Sequence, residues 1–244
     1  MRMTLPVNGF DVEARYDDAT VETVLLPLLA EIGARARAVP ERLIVFLAAP
    51  PATGKSTLAA FLERLAAQTP ELPRIQAVPM DGFHFHQDYI LSHTVTRGGE
   101  IIPMKRVKGA PDTFDVEKLR RTLLRARHED ILWPGYDRRL HDVVEDATAV
   151  TAPALLVEGN WLLYDAPGWR GLPHDFSIFI EAREALLRER LIARKMRGGL
   201  SREEALAFYR ETDGPNVCLC MERRLPADAA LEMTAEGVLR PKKQ

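Results

Sequence analysis

Leu43-Ile44-Val45-Phe46-Leu47 is an unbroken apolar run of strand length, and it leads into Ala49-Pro50-Pro51-Ala52-Thr53-Gly54-Lys55-Ser56-Thr57. A run with no polar position leaves no face for water. It therefore marks a strand covered on both sides, as in a parallel sheet. Three further mainly apolar runs follow: 75–78, ending at Pro79-Met80-Asp81; 154–157, ending at Glu158-Gly159-Asn160; and 176–180, ending at Glu181. Helical periodicity over 56–67, 116–127 and 184–197 separates them. Strands alternating with helices predict an α/β fold of three layers, α/β/α, with a mainly parallel sheet joined by right-handed crossovers. In such folds ligands gather at the carboxyl ends of the strands, where the polar residues of this chain cluster.

The flanking segments read as additions to this core. Leu5 and Val7, then Asn8-Gly9, then Phe10 and Val12 predict a hairpin with a type I′ turn. An amphipathic helix is expected over 21–38, with Val24, Leu25, Leu28, Leu29 and Ile32 on one face and Pro40 ending it. That face can cover the core or serve as a homodimer surface. Residues 1–40 are thus read as a hairpin and helix packed on the core, and residues 41–244 as the main domain. Ser201 with Glu204 forms a capping box for a late helix that ends near Thr212-Asp213-Gly214-Pro215. Residues 217–221 are expected to form a strand, on which Cys218 and Cys220 point to opposite faces and do not bridge. The tail Arg240-Pro241-Lys242-Lys243 is expected to fray.

Charge is nearly balanced, 33 Lys+Arg against 35 Asp+Glu in 244 residues, which argues against a nucleic-acid binder. No apolar run approaches the roughly 18–20 residues a membrane span needs. Two cysteines and no signal-peptide pattern fit the cytosol.

The loop after the first strand matches G-x-x-x-x-G-K-[ST] at Gly54, Lys55 and Ser56, with Ala49 in place of the first glycine. Strand, turn and helix in that order make a nest of backbone N–H groups for phosphate. Pro51, Ala52, Thr53, Gly54, Lys55, Ser56 and Thr57 are the nucleotide-binding candidates. Lys55 would reach the β- and γ-phosphates and Ser56 would ligate Mg²⁺. Alanine at position 49 would be strained if the site requires positive φ. Asp81 follows the second strand, the element expected to return beside the phosphate loop, and is the candidate base for an acceptor hydroxyl. Gly82 would let the backbone approach a ligand closely. An ordinary Pro-Met-Asp-Gly turn is the plainer reading. Glu158, at the end of the third run, is the second metal candidate.

Pro79-Met80-Asp81-Gly82-Phe83-His84-Phe85, Lys108-Gly109-Ala110-Pro111-Asp112-Thr113-Phe114-Asp115 and Trp133-Pro134-Gly135-Tyr136-Asp137-Arg138 with His141 occur in order. They resemble motifs of the phosphoribulokinase–uridine kinase–pantothenate kinase superfamily. Val157-Glu158-Gly159-Asn160-Trp161-Leu162-Leu163 and Asp213-Gly214-Pro215-Asn216 are most similar to its bacterial fructose transport system kinase-like branch. The resemblance implies a P-loop kinase using ATP and Mg²⁺, with Asp81 as base and a small hydroxyl compound as acceptor. It implies acceptor contacts from Asp81, His84, Asp112, Tyr136, Arg138 and His141, and places Asn216 near the adenine. His84 stands where uridine kinases have tyrosine. Asp115 reads as a helix N-cap.

Arg188, Arg190, Arg194, Lys195 and Arg197 precede Gly198-Gly199. Arginines beside a glycine hinge suit a lid over about 188–200, with Arg194 and Arg197 stabilising charge on the transferring phosphoryl group. The plainer reading is a solvated basic helix face. The irregular stretch 83–108 is expected to form part of the acceptor pocket. A regulatory nucleotide-binding protein and an NTP hydrolase acting as a switch are the rival readings.

Overall fold

The computed structural model describes residues 1–242. It begins with the antiparallel hairpin β1 (Arg2–Val7) and β2 (Phe10–Arg15). The turn residues Asn8 and Gly9 have φ of +54° and +80°, the geometry of a type I′ turn. A short helix α1 (Asp18–Thr20) and a π-helical turn lead into α2 (Leu26–Ala38). Val24, Leu25, Leu28, Leu29 and Ile32 are buried in the same cluster as Leu43, Val45 and Leu47, so this apolar face covers the sheet. The strand β3 (Leu43–Ala48) has every residue buried and feeds α3 (Lys55–Ala67).

After β4 (Ile75–Pro79) the chain leaves the sheet through a 3-10 turn at Met80–Phe83. Stretch 83–108 proves to be structured, with the helix α4 (Gln87–Ser92) and the hairpin β5 (Thr94–Arg97) and β6 (Glu100–Pro103). The helix α5 (Val116–His128) is capped by Asp115, whose carboxylate accepts the Lys118 N–H at 2.8 Å. A second hairpin follows, β7 (Ile131–Asp137) and β8 (Asp142–Val150), with a bulge between Trp133 and Gly135. Pro134 cannot donate to the ladder there, which is why sequence alternation does not announce this hairpin.

The chain re-enters the sheet as β9 (Ala154–Gly159) and β10 (Phe176–Ala182). It continues through α6 (Glu184–Arg197), α7 (Arg202–Phe208), α8 (Gly214–Glu222), β11 (Ala229–Met233) and β12 (Leu239–Pro241). The capping box at Ser201 and Glu204 is present. The sheet runs β12-β11-β10-β3-β9-β4, parallel except for β12. Along β3, Leu43, Val45 and Leu47 face one cluster while Ile44, Phe46 and Ala48 face the other. Both faces are therefore covered, the α/β/α arrangement expected.

Several local expectations are overturned. Residues 217–221 are helical, part of α8, which grows out of a π-helical turn at Tyr209–Asp213. Pro215 lies in the first turn of α8, where a missing N–H costs nothing. Cys218 and Cys220 are both free, as expected, though on a helix and not on a strand. The tail is tied down as far as β12 and Lys242, whose Nζ lies 2.6 Å from Glu181; Lys243 lies outside the described residues. Among the described residues, no helix is long and apolar enough to cross a membrane.

Candidate active site

The site is assembled by the register of three neighbouring strands. Leu47 of β3 pairs with Glu158 of β9, and Glu158 pairs with Pro79 of β4. The phosphate loop, Glu158 and Asp81 therefore leave the sheet at one level. β9 lies between the other two, which corrects the expectation that the second strand neighbours the phosphate loop. Asp81 comes close because Met80 crosses directly over Gly159, where a Cβ would meet Met80 Cβ at 2.6 Å. The Trp133 indole N–H donates to the Pro79 carbonyl at 2.9 Å and seats the turn on β7.

Two residues of the loop adopt left-handed backbone conformations. Gly54 caps α3 at φ +86° and Ala52 sits at φ +68°, so the left-handed positions are 52 and 54. Ala49 is fully buried and extends β3, its N–H donating to the Gly159 carbonyl at 3.4 Å, so alanine there carries no strain. Thr53 is buried with its hydroxyl donating to the Pro50 carbonyl at 3.0 Å. Pro51 and Thr57 lie within the same loop–helix junction.

Ser56 Oγ donates to Glu158 Oε1 at 2.7 Å. Burial raises the Glu158 carboxyl pKa, the Lys55 charge opposes this, and the Asp81 charge adds to it. A buried carboxylate beside a hydroxyl is a pair of hard oxygen donors, the set that suits Mg²⁺ completed by phosphate and water. Asp81 is half-buried and faces Arg138, with Oδ2 to Nη2 at 3.6 Å.

Around Asp81 lie the residues of the β7–β8 hairpin. His84 stacks on Phe114 with centroids 3.7 Å apart and tilts against Tyr136 at 5.6 Å. Burial lowers the His84 pKa, with the Asp81 charge opposing it, so the ring is neutral near pH 7. Its Nδ1 lies 3.1 Å from the Thr113 carbonyl, which places the hydrogen on Nδ1 and leaves Nε2 an acceptor. Tyr136 is pushed up to about 12 by burial and, next, by the Asp81 charge. Arg194, on α6, is surrounded by the charges of Asp213, Arg138, Asp81 and Arg197. Asp213 is buried, and burial raises its pKa against the nearby Lys195 and Arg194.

The remaining candidates divide. Asn216 is buried near the start of α8. Asp112 is exposed and ion-paired to Arg97 from the β5–β6 hairpin. It lines a separate cleft of about 440 Å³ with Tyr164, Trp169 and Leu219. His141 is exposed at φ +55° and contributes its backbone carbonyl, which accepts from Lys108 Nζ at 2.9 Å. Gly82 does not admit a ligand; a Cβ there would meet the Pro134 carbonyl oxygen at 2.1 Å. Gly82→Ala is accordingly expected to destabilise the fold by about 3 kcal/mol, because backbone cannot move aside as a side chain can. A thermal melt unchanged by the substitution contradicts this packing.

Two further residues, both within segments the sequence singles out but neither a site candidate there, join the site. Arg190 Nη1 donates to the Ala52 carbonyl at 3.3 Å, bracing the phosphate loop. Its spacing of four from Arg194 puts both on one helix face, a signal present in the arginine series. Lys108 Nζ lies 5.3 Å from the Tyr136 ring centroid, and burial lowers its pKa against the Asp142 charge.

A phosphate nest on the central strand, flanked by two carboxylates and arginines, defines a P-loop phosphotransferase of small molecules. No family model matches the chain. It is 49% identical over 240 residues to the uncharacterized protein YggC of Escherichia coli (strain K12), covering 97% of this chain and 98% of that one. It superposes on a candidate fructose transport system kinase from Silicibacter sp. TM1040 with a TM-score of 0.70 and 34% identity, covering 82% of this chain and 98% of the other. It is 32% identical over 195 residues to the pantothenate kinase of Myxococcus xanthus (strain DK1622), taking in 74% of this chain and 58% of that enzyme's length. The chain belongs to the P-loop kinase superfamily that contains uridine kinases, pantothenate kinases and phosphoribulokinases. It is a phosphotransferase with an alcohol group as acceptor, and kinases of this superfamily use ATP with Mg²⁺.

Proposed function

We propose that the chain transfers the γ-phosphoryl group of ATP to a hydroxyl of a small polyol-type metabolite: a sugar, a nucleoside or a pantothenate-like alcohol. One observation carries this reading. The Ser56–Glu158 bond and the Asp81–Arg138 pair stand side by side at the ends of adjacent parallel strands.

In this reading the backbone amides of 51–57 and the Lys55 ammonium cradle the phosphates, and Asn216 lies towards the adenine. Ser56 and Glu158 would hold Mg²⁺, which when bound would offset phosphate charge. Asp81 accepts the hydroxyl proton as the acceptor oxygen bonds to the γ-phosphorus and the bond to the β–γ bridging oxygen breaks, releasing ADP. Arg138 holds the Asp81 carboxylate in place. Arg194 and Arg197 close with the lid and meet the charge on the transferring group. Neutral His84, Tyr136, Arg138 and the more distant Asp112 and His141 form the acceptor side. We place the reaction in the cytosol, in keeping with two free cysteines, and assign no nucleic-acid or membrane partner; the protein acts alone or as a homodimer.

The test is a screen of sugars, nucleosides and vitamins with Mg·ATP, read by ADP release and product mass. An acceptor-dependent product 80 Da heavier, the mass of an added phosphoryl group, is the expected result. ADP release that no acceptor changes would instead favour a hydrolase.

A further inference from the structure

A cleft of about 450 Å³ opens between the tip of the N-terminal hairpin and the β7–β8 hairpin. Phe10 forms one wall, and Tyr136, Arg138, Arg139, Val144 and Ala147 form the other. Arg138 belongs to both this cleft and the site, since its guanidinium reaches Asp81 at 3.6 Å. The hairpin is well anchored. Leu5, Val7 and Ala14 are buried, and Tyr16 packs edge-on against Phe61 of α3 with centroids 4.6 Å apart. The helix that carries Lys55 at its start thus also holds the Phe10 turn.

Two features of the lining call for a ligand. Phe10 is 62% exposed, a large apolar ring standing in water at a hairpin tip, facing a wall that includes exposed Val144. The charges are unequal. Asp137 is engaged by the Arg139 and Leu140 N–H groups at 2.7 and 3.1 Å, and Arg138 is paired with Asp81. Arg139 makes no ion pair within 4 Å among the described residues; the Leu140 and Arg139 N–H groups, and then the Arg139 charge, hold the neighbouring Asp137 carboxyl below the usual carboxylate range. A guanidinium lining a cleft beside Phe10 and Val144, with no ion pair of its own, recognises a carboxylate or phosphate by paired N–H donors.

We infer that this cleft takes the end of the acceptor remote from the reacting hydroxyl, an apolar segment ending in a carboxylate or phosphate on Arg139. Phe10 is then a specificity-determining residue supplied by the N-terminal hairpin. This assignment rests on the kinase reading, and it gives the hairpin a part in the chemistry of the site.

Fluorine NMR of protein carrying 4-fluorophenylalanine tests it, with the Phe10 line assigned by its loss in Phe10→Leu. The probes are D-pantothenate against neutral panthenol, and D-fructose 6-phosphate against D-fructose. The carboxylate and phosphate arms separate the two sources of anion. The Phe10 line is expected to move with at least one anion, not with its neutral counterpart, and not in Arg139→Gln. Where that anion is also turned over, Phe10→Ala should raise its KM about tenfold, the scale of one lost apolar contact in a pocket. A line unmoved by every anion overturns the cleft assignment, and phosphoryl transfer seen alongside it leaves the kinase reading standing. A moved line with no transfer to any acceptor leaves an anion site in the cleft but overturns its assignment to an acceptor, together with the kinase reading.

Discussion

Asp81→Asn should lower kcat for phosphoryl transfer about a thousandfold, the scale of a lost general base, while ATP affinity changes less than about twofold. The substitution keeps shape and removes the proton acceptor. Asparagine leaves Arg138, 3.6 Å away, without its anion. The effect should therefore fall on kcat rather than on nucleotide binding, which the 51–57 loop carries. Steady-state kinetics with the acceptor found in the screen, beside calorimetric titration of ATP, separate the two. A kcat within a few-fold of the parent protein removes Asp81 from the chemistry. The same variant has a second readout. The Asp81 charge raises the Glu158 pKa, so in Asp81→Asn any acid limb that Glu158 imposes on residual activity should move to lower pH.

Glu158→Gln should have two effects of opposite sign. Transfer should fall about a hundredfold or more, because a carboxylate that would ligate Mg²⁺ is lost. Stability without ligand should rise. A carboxyl whose pKa is raised by folding binds protons more tightly in the folded chain than in the unfolded one. Its contribution to stability is therefore best below the ordinary glutamate range and is lost as pH rises through the raised value. Above that value the ionised, buried group carries the full penalty. Glutamine can still accept the Ser56 hydroxyl bond without that penalty. The melting temperature at pH 8 should increase by about 2–4 °C for each kcal/mol relieved, and the gain should vanish near pH 4. A variant less stable than its parent at both pH values contradicts this account of Glu158.

What the chain reveals in its sequence follows from what each signal depends on. The sheet core is legible because β3, β9 and β10 lie in the middle of a covered sheet and carry nearly unbroken apolar runs. The phosphate loop is legible because its chemistry is local, a few successive backbone groups at a helix start. Strand order is not local. β9 inserts between β3 and β4, and nothing in the composition of any of the three says so. Residues 217–221 read as a strand because Val217, Leu219 and Met221 alternate with small cysteines. Helical packing of Val217 and Cys220 on opposite core clusters overrides that pattern. Gly82 shows the same limit. A glycine signals that backbone comes close, but only the fold identifies the neighbour as Pro134. Arg97 on Asp112 and Phe10 beside Tyr136 are tertiary meetings with no sequence spacing to betray them.

The position of β9 has a consequence for how the chain comes to be folded. β3 needs β9 along its whole length, from Leu43 opposite Ala154 to Ala48 opposite Gly159, and residues 49–153 separate the two strands. Contacts this remote in sequence close large loops and form slowly. On the ribosome the phosphate loop emerges early, yet the strand that gives it Glu158 is among the later segments to be made. Until then β3, whose other neighbour β10 is made later still, offers both edges of an apolar strand to any neighbouring chain. Refolding should therefore be rate-limited by docking of β9, and a nascent chain ending before residue 154 should be held by chaperones rather than fold.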